Sequence, residues 1–187
     1  MRLFLLLIAI SLVCLGLQFE PLASQVNWHR YWIYQGQWWR ILTGNFTHTN
    51  FAHLGMNLAG LWVICFVFKP TTKSLLLSLL ATSITIGLLN LFTTMNGYVG
   101  LSGALHGIFA YFATLEALKE RKSSWLLVAG VMIKVMWELT MGAAQSTSEL
   151  INAPVAVEAH LFGALSGLAF ALVVYFTEKN SQPLPTK

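Results

Sequence analysis

The chain has 187 residues, 56% hydrophobic and 10% charged, with 7 Trp, 12 Phe, no aspartate and a formal charge of +4. So few charges beside so much aromatic and aliphatic surface exclude an ordinary soluble domain and place the chain in a membrane. The positive charge calls for no nucleic-acid partner, because the basic residues are spread along the chain as membrane topology requires.

Apolar runs long enough to cross hydrocarbon, at about 20 residues each, cover residues 3–17, 53–68, 74–92, 102–118, 125–141 and 155–176. They predict an all-α membrane protein, a six-transmembrane-helix bundle in one domain over residues 1–179, with a short flexible tail at 180–187. The first run follows only Arg2 and lacks a strong cleavage context, so it is expected to stay as a helix and not to be removed as a signal peptide. Cys14 and Cys65 lie in different runs outside any Cys-x-x-Cys pair and are expected to be packing residues. Between the first two runs, "VNWHRYWIYQGQWWRILTGNFTHTN" holds four of the seven tryptophans, a composition suited to the bilayer interface.

Arg2, Lys69, Lys73, Lys119, Arg121, Lys122, Lys179 and Lys187 fall on one side of a six-span chain; the other side holds Arg30 and Arg40, both in the long first loop, and its loops 93–101 and 142–154 carry no positive charge. By the positive-inside rule both termini are cytoplasmic. Nothing in the sequence sets an oligomeric state.

With that topology the second, fourth and sixth runs all start on the outer side and bring His53, Asn57, Ser102 and His160 to one depth. The fourth run is short, about 25 Å at 1.5 Å per residue, so its start lies below the membrane surface, where a loop survives only if protein or a cavity covers it. Ser102 then sits at a helix N-terminus, where free backbone N–H groups favour developing negative charge. A serine needs a base, and His160 is the candidate. No aspartate exists to orient that histidine, and Glu158, two residues away, points elsewhere on the helix, so a Ser-His dyad is expected. His53 and Asn57, four apart on one helical face, are candidate oxyanion donors with the Ser102 N–H.

Structural roles compete with these. Gly103/Gly107 and Gly163/Gly167 are small-residue pairs that let membrane helices approach closely, and an intramembrane histidine can serve only to hydrogen-bond between helices. No H-E-x-x-H occurs and no carboxylate falls among His48, His53, His106 and His160, so no metal is expected. Lys134 and Glu138, four apart in apolar sequence, are expected to neutralise each other as a buried pair facing the bundle, the alternative being a role in a substrate channel.

"WWR", "HTNFAHLGMN", "GLSG" and "AHLFGALSG" together resemble the rhomboid family of intramembrane serine proteases, over most of the chain from Trp38 to about Gly167. The resemblance implies Ser102 as nucleophile, His160 as general base, and His53, Asn57 and the Ser102 N–H around the oxyanion, with His48, Gly100, Gly103, His106 and Gly163 in support. His106 departs from the family pattern, which usually has a bulky residue four positions after the serine, and is expected to pack against His160 or to hydrogen-bond within the cavity, and not to act as the base. The small size, "TGNFTHTN" and "GLSGALHG" are similar to the rhombosortase branch. That likeness implies cleavage of exported proteins near a Gly-Gly-bearing transmembrane tail, in a bacterial inner membrane with the site open to the periplasm. The implied partners are a transmembrane protein substrate and the lipid bilayer, with no cofactor. The alternatives are a general rhomboid protease acting on other single-span proteins and a non-catalytic rhomboid-like protein that binds membrane helices.

Overall fold

The computed structural model describes residues 1–181. Ten helices account for most of them: α1 (Arg2–Gly16), α2 (Leu22–Val26), α3 (Arg30–Tyr34), α4 (Arg40–Thr43), α5 (Phe51–Phe68), α6 (Thr72–Leu89), α7 (Ser102–Lys119), α8 (Trp125–Met141), α9 (Gln145–Ile151) and α10 (Val157–Asn180). Each of the six apolar runs lies largely in one of the long helices. Asn180, read from sequence as the start of the tail, instead ends α10, and the tail beyond Ser181 lies outside the described residues.

Local chemistry starts the long helices. Asn50 caps α5 by accepting the His53 N–H at 2.8 Å, and Thr71 caps α6 by accepting the Ser74 N–H at 3.1 Å. Four helical segments are long and apolar enough to cross a membrane, Phe51–Phe68, Thr72–Phe92, Lys122–Met141 and Val157–Asn180; α1 is shorter, at 15 residues. Helix α7 is less apolar because it stands inside the bundle, where eleven of its 18 residues are buried and few need to face lipid.

Glycines set the tightest contact. Gly103 and Gly107 of α7 interleave with Gly163 and Gly167 of α10: a Cβ on Gly163 would strike the Gly103 carbonyl, and one on Gly167 the Gly107 carbonyl. The two backbones therefore touch. Helix α8, by contrast, is shallowly seated, with only Val128, Val131 and Val135 buried among its 17 residues.

The segment before α5 is more than an interfacial skirt. Trp32, Trp38 and Trp39 face outward, but Trp28 is 1% exposed, and its indole donates to the Gly87 carbonyl at 2.9 Å. Strand β1 (Trp28–His29) pairs antiparallel with β2 (Gly97–Tyr98), a small departure from an all-helical fold. Arg30 donates to the carbonyls of Asn90, Leu91, Thr93 and Met95, fastening the loop that leads into α7. Arg40 is buried and donates to Gln37 Oε1, Asn27 and the Ser24 carbonyl.

Candidate active site

The loop after α6 turns sharply before delivering Ser102. Gly100 has φ +118°, and a Cβ there would lie 2.7 Å from the His53 ring and 3.6 Å from Asn57 Nδ2, so both conformation and space demand glycine. Tyr98 holds the turn by donating to the Gly100 carbonyl at 2.7 Å, and burial pushes its phenol well above the ordinary range, keeping the donor proton in place. Ser102 follows as the first residue of α7.

His160, 4% exposed on α10, places Nε2 2.9 Å from Ser102 Oγ. The glycine contact below holds these two helices together. His53 and Asn57 of α5, 6% and 5% exposed, face the same cavity of about 670 Å³, which Ser102, His160, Met56 and Tyr98 also line. Asn57 Nδ2 is buried without a hydrogen-bond partner. An unsatisfied donor at this depth costs stability, and it lies ready for an acceptor. His53 Nδ1 is 3.1 Å from Thr49 Oγ1, whose own proton goes to the Ile151 carbonyl at 2.6 Å.

His48, among the supporting candidates, packs edge-on against His53 with ring centroids 5.1 Å apart, and neither of its ring nitrogens has a partner. Burial, then the neighbouring His53, lowers its pKa to about 3, so it is neutral at physiological pH. His106 stacks on His160 at 4.2 Å between centroids and 20° between planes, with Nδ1 2.8 Å from the Ser102 carbonyl.

Two expectations fail at Glu138. Its Oε2 lies 2.8 Å from His160 Nδ1 while Oε1 receives the Lys134 ammonium at 2.7 Å. The Lys134–Glu138 pair is therefore not closed on itself, and Lys134 is not buried: its side chain is 51% exposed against 14% for Glu138. A carboxylate also does fall among the histidines. His106, Glu138 and His160 bring ligand atoms within 4.8 Å of one another. That set is poorly arranged for a metal, because both nitrogens of His160 are engaged and the two imidazoles are stacked instead of converging on a point. Sequence spacing marked the Lys134–Glu138 pair but carried no sign that α8 would lay Glu138 against α10.

A second, apolar cavity of about 390 Å³ opens between α5, α7 and α8, lined by Ile64, Leu105, Phe109, Val131 and, at its polar edge, His106 and Lys134.

The Rhomboid domain model matches residues 35–176. The chain belongs to the rhomboid family. This rhomboid is 28% identical over 137 residues to Rhomboid protease GluP of Bacillus subtilis (strain 168), an alignment covering 72% of this chain and 26% of GluP. It is 27% identical over 146 residues to the rhomboid YdcA of the same organism, covering 74% of this chain and 68% of YdcA. The chain thus spans only about a quarter of the length of GluP.

Proposed function

We propose that this rhomboid is an intramembrane serine endopeptidase in which Ser102 is the nucleophile and His160 the general base. The carrying observation is the 2.9 Å contact between His160 Nε2 and Ser102 Oγ at the N-terminus of α7, beside the unpartnered Asn57 amide. In this reading the Ser102 hydroxyl gives its proton to His160 Nε2 as Oγ attacks the scissile carbonyl. The resulting oxyanion takes hydrogen bonds from the Ser102 N–H and Asn57 Nδ2, with His53 alongside. His160 then returns the proton to the leaving amine, and water, activated by the same histidine, hydrolyses the acyl-enzyme.

The substrate we assign is the transmembrane C-terminal tail region of an exported protein, of the Gly-Gly-tailed rhombosortase type. Two points support it: the "GLSGALHG" and "TGNFTHTN" likeness to that branch, and the ease with which glycine leaves a helix and brings its backbone close to a nucleophile. The topology that goes with it has six spans, both termini cytoplasmic and the cavity open to the periplasm, in a bacterial inner membrane; the lysine and arginine asymmetry supports it. Lateral entry of the substrate helix fits the apolar cavity beside α8.

Co-expression with a Gly-Gly-tailed protein, followed by mass spectrometry of its new C-terminus, tests the reading. Cleavage is expected with the wild type and is expected to vanish in both Ser102→Ala and His160→Ala at unchanged membrane levels. Cleavage that survives either substitution overturns it.

A further inference from the structure

We propose that Glu138 is a positioning residue for His160, so that Ser102 of α7, His160 of α10 and Glu138 of α8 act as a three-helix relay, with Lys134 fixing the carboxylate. This inference rests on the proposed nucleophile and base. A deprotonated carboxylate only accepts hydrogen bonds, so the 2.8 Å contact of Glu138 Oε2 with His160 Nδ1 requires the proton on Nδ1. Nε2 then carries its lone pair toward Ser102, 2.9 Å away. The opposite tautomer would put N–H toward the serine, donating to Oγ where the reaction needs an acceptor. Proton transfer from Ser102 to Nε2 creates an imidazolium, and Glu138 stands opposite its charge without taking the proton itself.

The neighbouring groups hold Glu138 to that task. Lys134 occupies Oε1 at 2.7 Å, which orients the carboxylate so that Oε2 faces the histidine. His106 covers one face of the His160 ring. The imidazole is thereby fixed at both nitrogens and on one face. A pair serving only mutual neutralisation would need no contact with His160, and it would not leave Lys134 half exposed while Glu138 is turned inward.

The test uses the full chain in detergent micelles, with a fluorophosphonate probe whose labelling rate at the serine does not depend on knowing the substrate. Glu138→Gln keeps size and removes charge. The double variant Lys134→Leu with Glu138→Leu strands no ion, which protects folding. Both are expected to melt cooperatively like the wild type yet label about 10²–10⁴-fold more slowly, the upper end being the loss on neutralising the orienting aspartate of a serine protease triad. In [¹⁵N]histidine-labelled protein, the downfield Nδ1–H proton resonance of His160 is expected in the wild type and lost in the double variant. Wild-type labelling rates in either folded variant overturn the proposal, as does a Tm that drops while the rate and the resonance stay. Ser102→Ala and His160→Ala separate the two levels. If both are silent while the Glu138 variants label normally, only the relay fails. Labelling or cleavage that survives Ser102→Ala instead removes the nucleophile on which it rests.

Discussion

At Asn57 a side-chain amide with two donor hydrogens lies buried and unpartnered at the cavity. His53 is differently placed. The Thr49 backbone N–H donates to His53 Nδ1 at 3.5 Å, while the Thr49 hydroxyl gives its proton to the Ile151 carbonyl, so Nδ1 accepts and the proton of the neutral imidazole sits on Nε2. Asn57→Ala and His53→Ala are each expected to lower kcat by about 10²–10³-fold, as loss of a single oxyanion donor does, short of the complete loss in Ser102→Ala; initial rates on one substrate check this. His106→Phe preserves an aromatic face for His160 and should keep measurable activity, whereas His160→Phe should have none. His48 gives a pH prediction. Its folded pKa of about 3 lies below the ordinary 6.5, so its neutral form is favoured by folding. That contribution is complete above pH 6.5 and is lost progressively as pH falls toward 3, because the unfolded chain takes up the proton first. The Tm of wild type relative to that of His48→Phe in detergent should fall as pH drops from 7 to 4.5. Ser102 and His160 could be singled out from sequence because serine and histidine are conspicuous in apolar runs, whereas Gly100, in the loop before α7, entered only through the family resemblance. Glu138 could not be assigned to His160, since its partner is 22 residues away on another helix and only packing brings the two together.

Among the elements, α7 and α10 depend on the absence of side chains between them. Gly163→Ala would drive a methyl group into the Gly103 carbonyl. Overpacking of this kind costs about 1–3 kcal/mol, and here it would also spread the two helices that carry Ser102 and His160, so both Tm and cleavage should fall. Gly130 on α8 has open space around its Cβ position, and Gly130→Ala should leave Tm unchanged or slightly raised. The paired measurement distinguishes contact from helix propensity. Helix positions were largely legible because apolar length is a strong signal. The loop before α5 was not, because its order comes from single long-range bonds. Trp28 to Gly87 and Arg30 to the carbonyls before α7 join residues about 60 apart in sequence, which no local pattern foretells. Composition could count the tryptophans but could not say that Trp28 turns inward.

For the whole molecule, the proposed orientation can be checked with cysteines, since Cys14 and Cys65 are both buried. A cysteine at exposed Ser123 should resist a membrane-impermeant maleimide in spheroplasts, and one at exposed Ser146 should react. The reverse pattern would invert the topology. The uneven seating of the helices carries a consequence for timing. Serine and histidine ride on two backbones locked together by glycine, but Glu138 rides on α8, with three buried valines to hold it. A hydrogen bond of 2.8 Å is gone once its partners separate by about 1 Å more. If Glu138 orients the base, a small outward swing of α8, the helix beside the apolar cavity, would idle the catalyst without disturbing its nucleophile. Such an enzyme would be slow whenever that wall swings outward and fast when it is shut as it stands in this structure, so that the seating of a single lipid-facing helix would set the rate of a nucleophile it never touches.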